Sequence, residues 1–264
     1  MSLVDALGRE HQPYDAVPRI VSLVPSLTEL ICDLGLTEYL VGRTGFCVHP
    51  KEPLRAVPKV GGTKDVKLEV VRELAPTHLI ADIDENRRES VEAMARFVPH
   101  VVVVHPLTVD DNLALYALLG GIFRHHAEAE RLAAEFRDAR DKLAAATATL
   151  PREAVLYPIW RAPWMTVGRD TYIAAMLAAA GWDTLPALAP TRFPAFEWDA
   201  PWLVDVERVL LPSEPYAFTD RDLNEVSALA QRPVARVDGE MVSWYGSRAI
   251  AGLRYLADLR RGLC

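Results

Sequence analysis

The chain has 264 residues and a mass of 29.3 kDa, enough for one large α/β domain or for two lobes with separate cores. Hydrophobic residues make up 50% and charged residues 25%, and the formal charge of −7 excludes a general nucleic-acid binder, which needs a basic surface to neutralise phosphates. No uninterrupted apolar run approaches the roughly 20 residues of a membrane span, so no membrane insertion is expected. Cys32, Cys47 and Cys264 lack paired metal spacing, and their odd number favours reduced thiols. The opening "MSLVDALGREHQPYDAVPRIVSL" carries no basic segment followed by an apolar one and no lipobox-like cysteine. As written it predicts a cytoplasmic protein, or a periplasmic one if an export signal has been removed.

"RIVSLV" reads as a strand and "PSLTELICDLGL" as a helix, with Ser26 and Glu29 at the spacing of a capping box and Gly35 at the C-terminal stop. "YLVGRTG" reads as part of a loop rich in Pro and Gly. "LEVVRELAP" is a short amphipathic helix, "THLIADI" a strand, "ENRRESVEAMARF" a helix and "HVVVVHP" a buried strand of the parallel type. Strict alternation predicts a parallel sheet with helices on both faces. From Asp110 to Leu150 no strand is expected. Gly120-Gly121 is read as a break, leaving one helix of about 25 residues and nearly 40 Å, with a sparse apolar stripe at Ala127, Leu132, Phe136 and Leu143. Alternation then resumes: "EAVLYPIW", "DTYIAAMLAAAGW", "VERVLLP", "TDRDLNEVSALA", "PVARVDG" and "SRAIAGLRYLADLRRGL". The expected fold is α/β. It has two lobes, each with a mostly parallel central sheet flanked by helices, joined by one long helix. The expected boundaries are an N-terminal extension at 1–17, an amino lobe at 18–109, a helical strut at 110–150 and a carboxyl lobe at 151–264.

In open α/β sheets ligands sit beyond the carboxyl ends of the strands. Here those ends read "RTGFCVHP", "GGTKD", "DENR", "WRAPW", "PSEPY" and "GEMVSWYGSR". They concentrate aromatics, arginines and carboxylates where a plain scaffold uses turn residues. Each residue also has a dull role: Trp160 and Trp164 as plugs of a lobe edge, Arg161 and Arg248 as surface charges, Glu214 as a turn former. Enzyme signatures are thin. "GGTK" lacks the spacing of a phosphate loop, there is no G-x-S-x-G, and His49, His105, His125 and His126 form no metal-binding pair. Cys47 with His49 is one weak thiolate or metal pair. No catalytic residue and no resident cofactor are assigned.

The segments "RIVSLVPSLTELICDLGL", "VGRTGFCVHP", "VPKVGG" and "LEVVRELAPTHLIA", with "MTVGRDTYIAAMLAAAGW", "VERVLLPSEPYAF" and "DGEMVSWYGSR", resemble the helical-backbone (class III) substrate-binding proteins of ABC importers. That class handles cobalamin, iron-siderophores and haem, and the resemblance is nearest its cobalamin-binding branch. It runs from about Pro18 to the end. The resemblance implies a corrinoid held between two lobes by aromatic side chains, here Trp160, Trp164, Tyr216, Trp244 and Tyr245. Where cobalamin receptors carry a tryptophan before an amino-lobe helix, this chain has Thr63, followed by Lys64 and Asp65. With Glu85, Arg87, Arg161, Glu214 and Arg248 this makes a site richer in charge than a corrinoid requires, and an anionic chelate would use paired arginines. The resemblance also implies one permease-docking carboxylate per lobe, Glu69 in "LEVV" and Asp199 in "EWDAP".

The leading reading is therefore a monomeric, non-enzymatic receptor for a small-molecule chelate, cobalamin first, with an ABC permease as partner. Two alternatives stand beside it. One is a signal-less cytoplasmic metabolite-binding or enzymatic relative with a charged site for an anionic ligand. The other is an iron-siderophore, haem or metal receptor using His49, Cys47 or Glu214.

Overall fold

The computed structural model describes residues 3–263, so Cys264 lies outside the described residues. The chain forms two compact units. The first holds β1 (Ile20–Ser22), α1 (Pro25–Asp33), β2 (Leu40–Arg43), α2 (Lys51–Leu54), α3 (Leu68–Glu73), β3 (His78–Asp82), α4 (Arg88–Met94), β4 (His100–Val104) and α5 (Asp111–Ile122). The second holds β5 (Glu153–Leu156), α7 (Tyr172–Ala179), β6 (Trp182–Thr184), β7 (Arg208–Pro212), α8 (Asp220–Ala230), β8 (Val234–Val237), α9 (Gly239–Ser243) and all but the first residue of α10 (Arg248–Gly262). Between them in sequence runs α6 (His126–Thr147), whose residues through Phe136 group with the first unit and from Arg137 with the second. Leu107–Val109 groups with the second unit and Tyr245–Arg248 with the first, so the units part at different places from the expected 18–109, 110–150 and 151–264 boundaries.

Each unit is built on a four-stranded, all-parallel sheet, ordered β2-β1-β3-β4 in one and β6-β5-β7-β8 in the other. The two orders are the same permutation. In both, the first strand sits inside and the second at the edge. The expected fold class holds.

Several local readings change. "YLVGRTG" is not loop but contains the edge strand β2, and Gly42 sits so close to Leu74 and Val60 that a Cβ would come within 2.8–2.9 Å of them. A strand packed this tightly cannot advertise itself by side-chain pattern. β6, "WDT", is a strand that no sequence segment announced; α7 stops at Ala179, and Gly181 at φ +84° turns the chain into the strand. The capping box at Ser26 is absent. Val24 is the N-cap and Pro25 the first helical residue, and the carboxylate of Glu29 goes to Arg248 instead. Gly35 does close α1, at φ +78° with its N–H on the Cys32 carbonyl.

The Gly120-Gly121 break also fails. Both glycines lie inside α5, and the chain breaks later, at Phe123 to His125, with Arg124 at φ +58°. A Cβ on Gly120 would stand 2.5 Å from the Cβ of Ala129, and one on Gly121 2.4 Å from Leu3. These glycines permit close packing rather than a turn. Helix α6 is therefore 22 residues long, about 33 Å, and its buried stripe is Ala129, Leu132, Ala133, Phe136, Ala139 and Leu143, while Ala127 is exposed.

The residues before β1 pack on the first unit. Ala6 N–H donates to the Val103 carbonyl at 2.8 Å, and the buried Asp5 carboxylate accepts from Val103 N–H at 3.2 Å. Strand β4 thus has its outer edge covered.

Candidate functional site

The carboxyl ends of the strands differ between the units. In the first unit they close over small polar groups. Thr28 Oγ1 donates to Ser22 Oγ at 2.8 Å, and the Cys47 sulfur lies 3.0 Å from Thr28 Oγ1 and 3.1 Å from Thr44 Oγ1. Burial pushes the Cys47 thiol up, against the pull of these hydroxyls, which disfavours the thiolate that a metal or nucleophilic role requires. Asp82, at the end of β3, accepts from the N–H groups of Asp84 at 2.7 Å and Glu85 at 3.0 Å, and burial raises its carboxyl despite them. The Tyr245 hydroxyl lies against Ser26 and Asp82. Outside this network stand three exposed apolar side chains, Phe46 (64%), Val48 (48%) and Ile83 (42%).

The charged residues expected here go elsewhere. "GGTKD" is a tight turn: Gly61 stands at φ +111°, Gly62 N–H donates to the Asp65 carbonyl at 2.9 Å, and a Cβ on Gly61 would meet that carbonyl oxygen at 2.3 Å. Lys64 is exposed and its ammonium donates to the Asp84 carbonyl. Arg87 is the exposed N-cap of α4. Arg248 makes a two-point contact with Glu29 at 2.7 and 2.8 Å, with little of either side chain exposed. Burial raises the Glu29 carboxyl and the guanidinium pulls it back.

In the second unit the strand ends stack aromatics. Residues 160 to 165 form a small hairpin, with Met165 N–H donating to the Trp160 carbonyl at 3.2 Å and Ile159 N–H to the Met165 carbonyl at 2.8 Å. This hairpin sends its two indoles to different places. Trp164 turns inward, stacked on Phe218 at 5.9 Å and edge-on to Trp198 at 5.3 Å, in a cluster that includes Phe196. Trp160 turns outward. It is 45% exposed and meets Tyr216 in a T-shaped pair, 5.6 Å between centroids. Tyr216 rests in turn on Phe218 at 4.6 Å. Arg161 lies over Trp164 at 5.6 Å and is bound to Asp222 at 2.5 Å and Glu225 at 2.8 Å.

Glu214 follows β7. Ser243 Oγ donates to its Oε1 at 3.1 Å, and Trp244 Nε1 donates to the same oxygen. Burial raises this carboxyl above the usual range, with the two donors opposing and Glu240 and Asp238 adding to the rise. Trp244 is buried at 8% exposure and Tyr245 at 7%, so neither ring is displayed.

The two expected docking carboxylates are both exposed. Glu69 lies in the first turn of α3 with Arg72 against it at 2.6 Å. Asp199 precedes the 3-10 turn Pro201–Asp205. Sequence reasoning passed over Phe46 and Ile83. Phe46 stood inside a strand-end segment already singled out, and an aromatic among Gly, Cys and Val in a loop was the available signal. Among the described residues no group of three or more His, Cys, Asp or Glu is placed to hold a metal ion, and no helix is long and apolar enough to cross a membrane.

Among curated proteins, the vitamin B12-binding protein of Pectobacterium atrosepticum is 29% identical over 123 residues, 46% of this chain and 44% of that protein. The matched stretch thus spans less than half of that relative. An uncharacterised ABC transporter substrate-binding lipoprotein of Bacillus subtilis, YvrC, is 28% identical over 91% of this chain and 79% of its own length. Among solved structures, the periplasmic vitamin B12-binding protein BtuF of Vibrio cholerae superposes with a TM-score of 0.79 at 17% identity, covering 92% of this chain and 96% of that one. The periplasmic haem-binding protein HutB of the same organism gives 0.77 at 20%, covering 92% and 99%. At these identities the structural likeness is one of fold. The periplasmic binding protein family matches residues 20–193, and with two parallel four-stranded units of the same strand order the chain belongs to that family.

Proposed function

We propose that this chain is a non-enzymatic solute receptor of an ABC importer, working outside the cytoplasm, and that its ligand is a planar metal chelate with an uncharged fringe, cobalamin before haem or a siderophore. The observation that carries this reading is Trp160. A large indole left 45% exposed at a strand end, braced edge-on by Tyr216, offers a ring face to a flat ligand. The arginines argue against the anionic alternative. Arg161 is engaged by two carboxylates and Arg248 by one in a bidentate pair, so these two arginines are already committed to carboxylates. Relatives and structural neighbours whose names state a ligand include binders of vitamin B12, haem and iron, and the arginine pairing favours the first. Glu69 and Asp199 are the carboxylates we assign to permease contact, both exposed.

Titration with cyanocobalamin, followed by the fluorescence of the six tryptophans and by calorimetry, tests the reading. Saturable one-to-one binding is expected, and Trp160→Ala should weaken it by at least about tenfold, as loss of an aromatic anchor does. A silent titration with cyanocobalamin alongside saturable binding of haemin would overturn the corrinoid assignment.

A further inference from the structure

Trp160 and Arg161 are adjacent, and the segment from Tyr216 into α8 receives both. The indole meets Tyr216. The guanidinium reaches the first turns of α8, where Nη1 donates to Asp222 Oδ1 at 2.5 Å and Nη2 to both oxygens of Glu225 at 2.8 Å. Such charge-assisted bonds from a planar fork fix direction as well as distance. The same guanidinium lies over the Trp164 ring at 5.6 Å.

The far end of this contact is firmly seated. Asp222 Oδ2 accepts from the N–H of Thr219 at 2.8 Å and from its Oγ1 at 2.7 Å, closing the capping box of α8. Those donors, and then Arg161, hold the Asp222 carboxyl below its ordinary range, so the pair stays ionised in mild acid. Val226, the next residue after Glu225, is fully buried in the core cluster that contains Phe218.

The near end is less favoured by its own backbone. The return arm of the hairpin is pinned, with Phe196 N–H on the Trp164 carbonyl and Thr166 N–H on the Pro194 carbonyl, both at 3.0 Å. The outgoing arm runs from Trp160 through Arg161 to Ala162 at φ +62°, a left-handed conformation that a residue with a Cβ disfavours. A tip in that state persists where its neighbours over-determine it. Without such neighbours an indole 45% exposed would sample several rotamers. Ordering it would then weaken ligand binding.

We propose that Arg161 is a positioning residue: by tying the hairpin to α8 it holds the Trp160 ring beside Tyr216 before a ligand arrives. It acts through Trp160 and makes no ligand contact of its own. The inference rests on the receptor reading above and deepens it. A ligand-binding arginine and a positioning arginine make opposite predictions once Trp160 is removed.

Protein labelled with 5-fluorotryptophan has six fluorine-bearing positions, and the signal of Trp160 is the one lost in Trp160→Phe. Arg161→Ala should narrow that signal and move it toward the frequency of the free amino acid. The Trp164 signal should shift as the guanidinium leaves its ring, and the others should stay. Glu225→Gln, which leaves the Asp222 capping box in place, should move the Trp160 signal the same way by less, and it decides the matter if Arg161→Ala fails to fold. With cyanocobalamin as the probe, Arg161→Ala should weaken binding about three- to tenfold, the usual cost of ordering one side chain. In a Trp160→Ala protein the same substitution should change affinity by no more than about 1.5-fold, because the residue through which it acts is gone. A Trp160 signal that moves in neither variant overturns the inference. So does full additivity with Trp160→Ala, which marks Arg161 as a direct ligand contact and leaves the receptor reading standing. If the wild type binds haemin and not cyanocobalamin, the corrinoid assignment falls and the same cycle with haemin decides the role of Arg161. Binding of neither ends the receptor reading and this role together.

Discussion

The two units share a strand order but treat the ends of their strands in opposite ways. At the carboxyl ends the first unit knits Ser22, Thr28, Thr44 and Cys47 into a buried polar network, while the second stacks Trp164, Phe196, Trp198 and Phe218 behind the exposed Trp160. The amino ends differ as sharply. In the second unit Glu153 opens β5 as the centre of a charged hub. It accepts from Trp182 Nε1 at 2.9 Å, Arg208 at 2.8 Å and Arg260 at 2.7 Å, with Arg260 also lying over the Trp182 ring. In the first unit the corresponding ends of β3 and β4 carry His78 and His100, stacked at 4.7 Å, with Tyr14 and Phe123 edge-on to His78. One scaffold is thus closed by ion pairs and the other by stacked rings. A parallel sheet dictates where its ends lie, but not which chemistry closes them.

Breaking the hub should give the largest effect. Glu153→Ala leaves two mostly buried guanidiniums without their carboxylate, and removing one partner of a buried pair costs about 3–5 kcal/mol. Urea unfolding should show that loss, with amide exchange rising first in β5 and β7. A loss below about 1 kcal/mol would mark the hub as an ordinary surface pair.

The histidine stack sharpens the contrast through pH. Burial, then the neighbouring His100 and His11, lowers the pKa of His78 from its ordinary 6.5 to about 3. The folded first unit therefore holds His78 neutral, whereas the unfolded chain takes up a proton below about 6.5. Stability from this group is fully present above that value and falls as the pH drops toward about 3, by about 1.4 kcal/mol per unit. At pH 5 the loss is about 2 kcal/mol. Hydrogen exchange at pH 7.5 and pH 5, corrected for intrinsic rates, should show β3 and β4 losing protection while β5 and β7 keep theirs. In His78→Phe the pH dependence should flatten, whatever that change does to stability itself. An equal loss in both units would refute the assignment to His78.

The smallest effect belongs to a helix start. Thr171 caps α7 through its hydroxyl, which accepts from Ala174 N–H at 3.3 Å. Thr171→Ala should cost about 1 kcal/mol, read in the same urea titration. The first unit's α1 has no side-chain cap, so Ser26→Ala should show no capping loss there.

Much of this architecture was legible in the residue order. "HVVVVHP" reads as a buried parallel strand and "VERVLLP" as a strand, as both are, and no strand falls between Asp110 and Leu150. The errors came where contact overrides pattern. Gly120 and Gly121 read as a break but lie inside α5, because the absent side chains leave room for Ala129 and Leu3. Strand β2 was hidden by the glycine that lets it pack. In the candidate site the segments were right and the roles were not legible. "WRAPW" displays one indole and packs the other, half-buried, against the core, and the difference lies in which of them meets Phe218.

The sequence by itself determined the alternation of strands and helices, the parallel character of the sheets and the segments that gather at their ends, because hydrophobic period and helix-stop residues are local signals. Only the tertiary structure decided that Arg248 is paired with Glu29, 219 positions away in the chain, and that Arg161 is held by Asp222 and Glu225. Charge pairing and exposure are properties of neighbours in space, and residues so far apart in sequence become neighbours only when the sheets have formed.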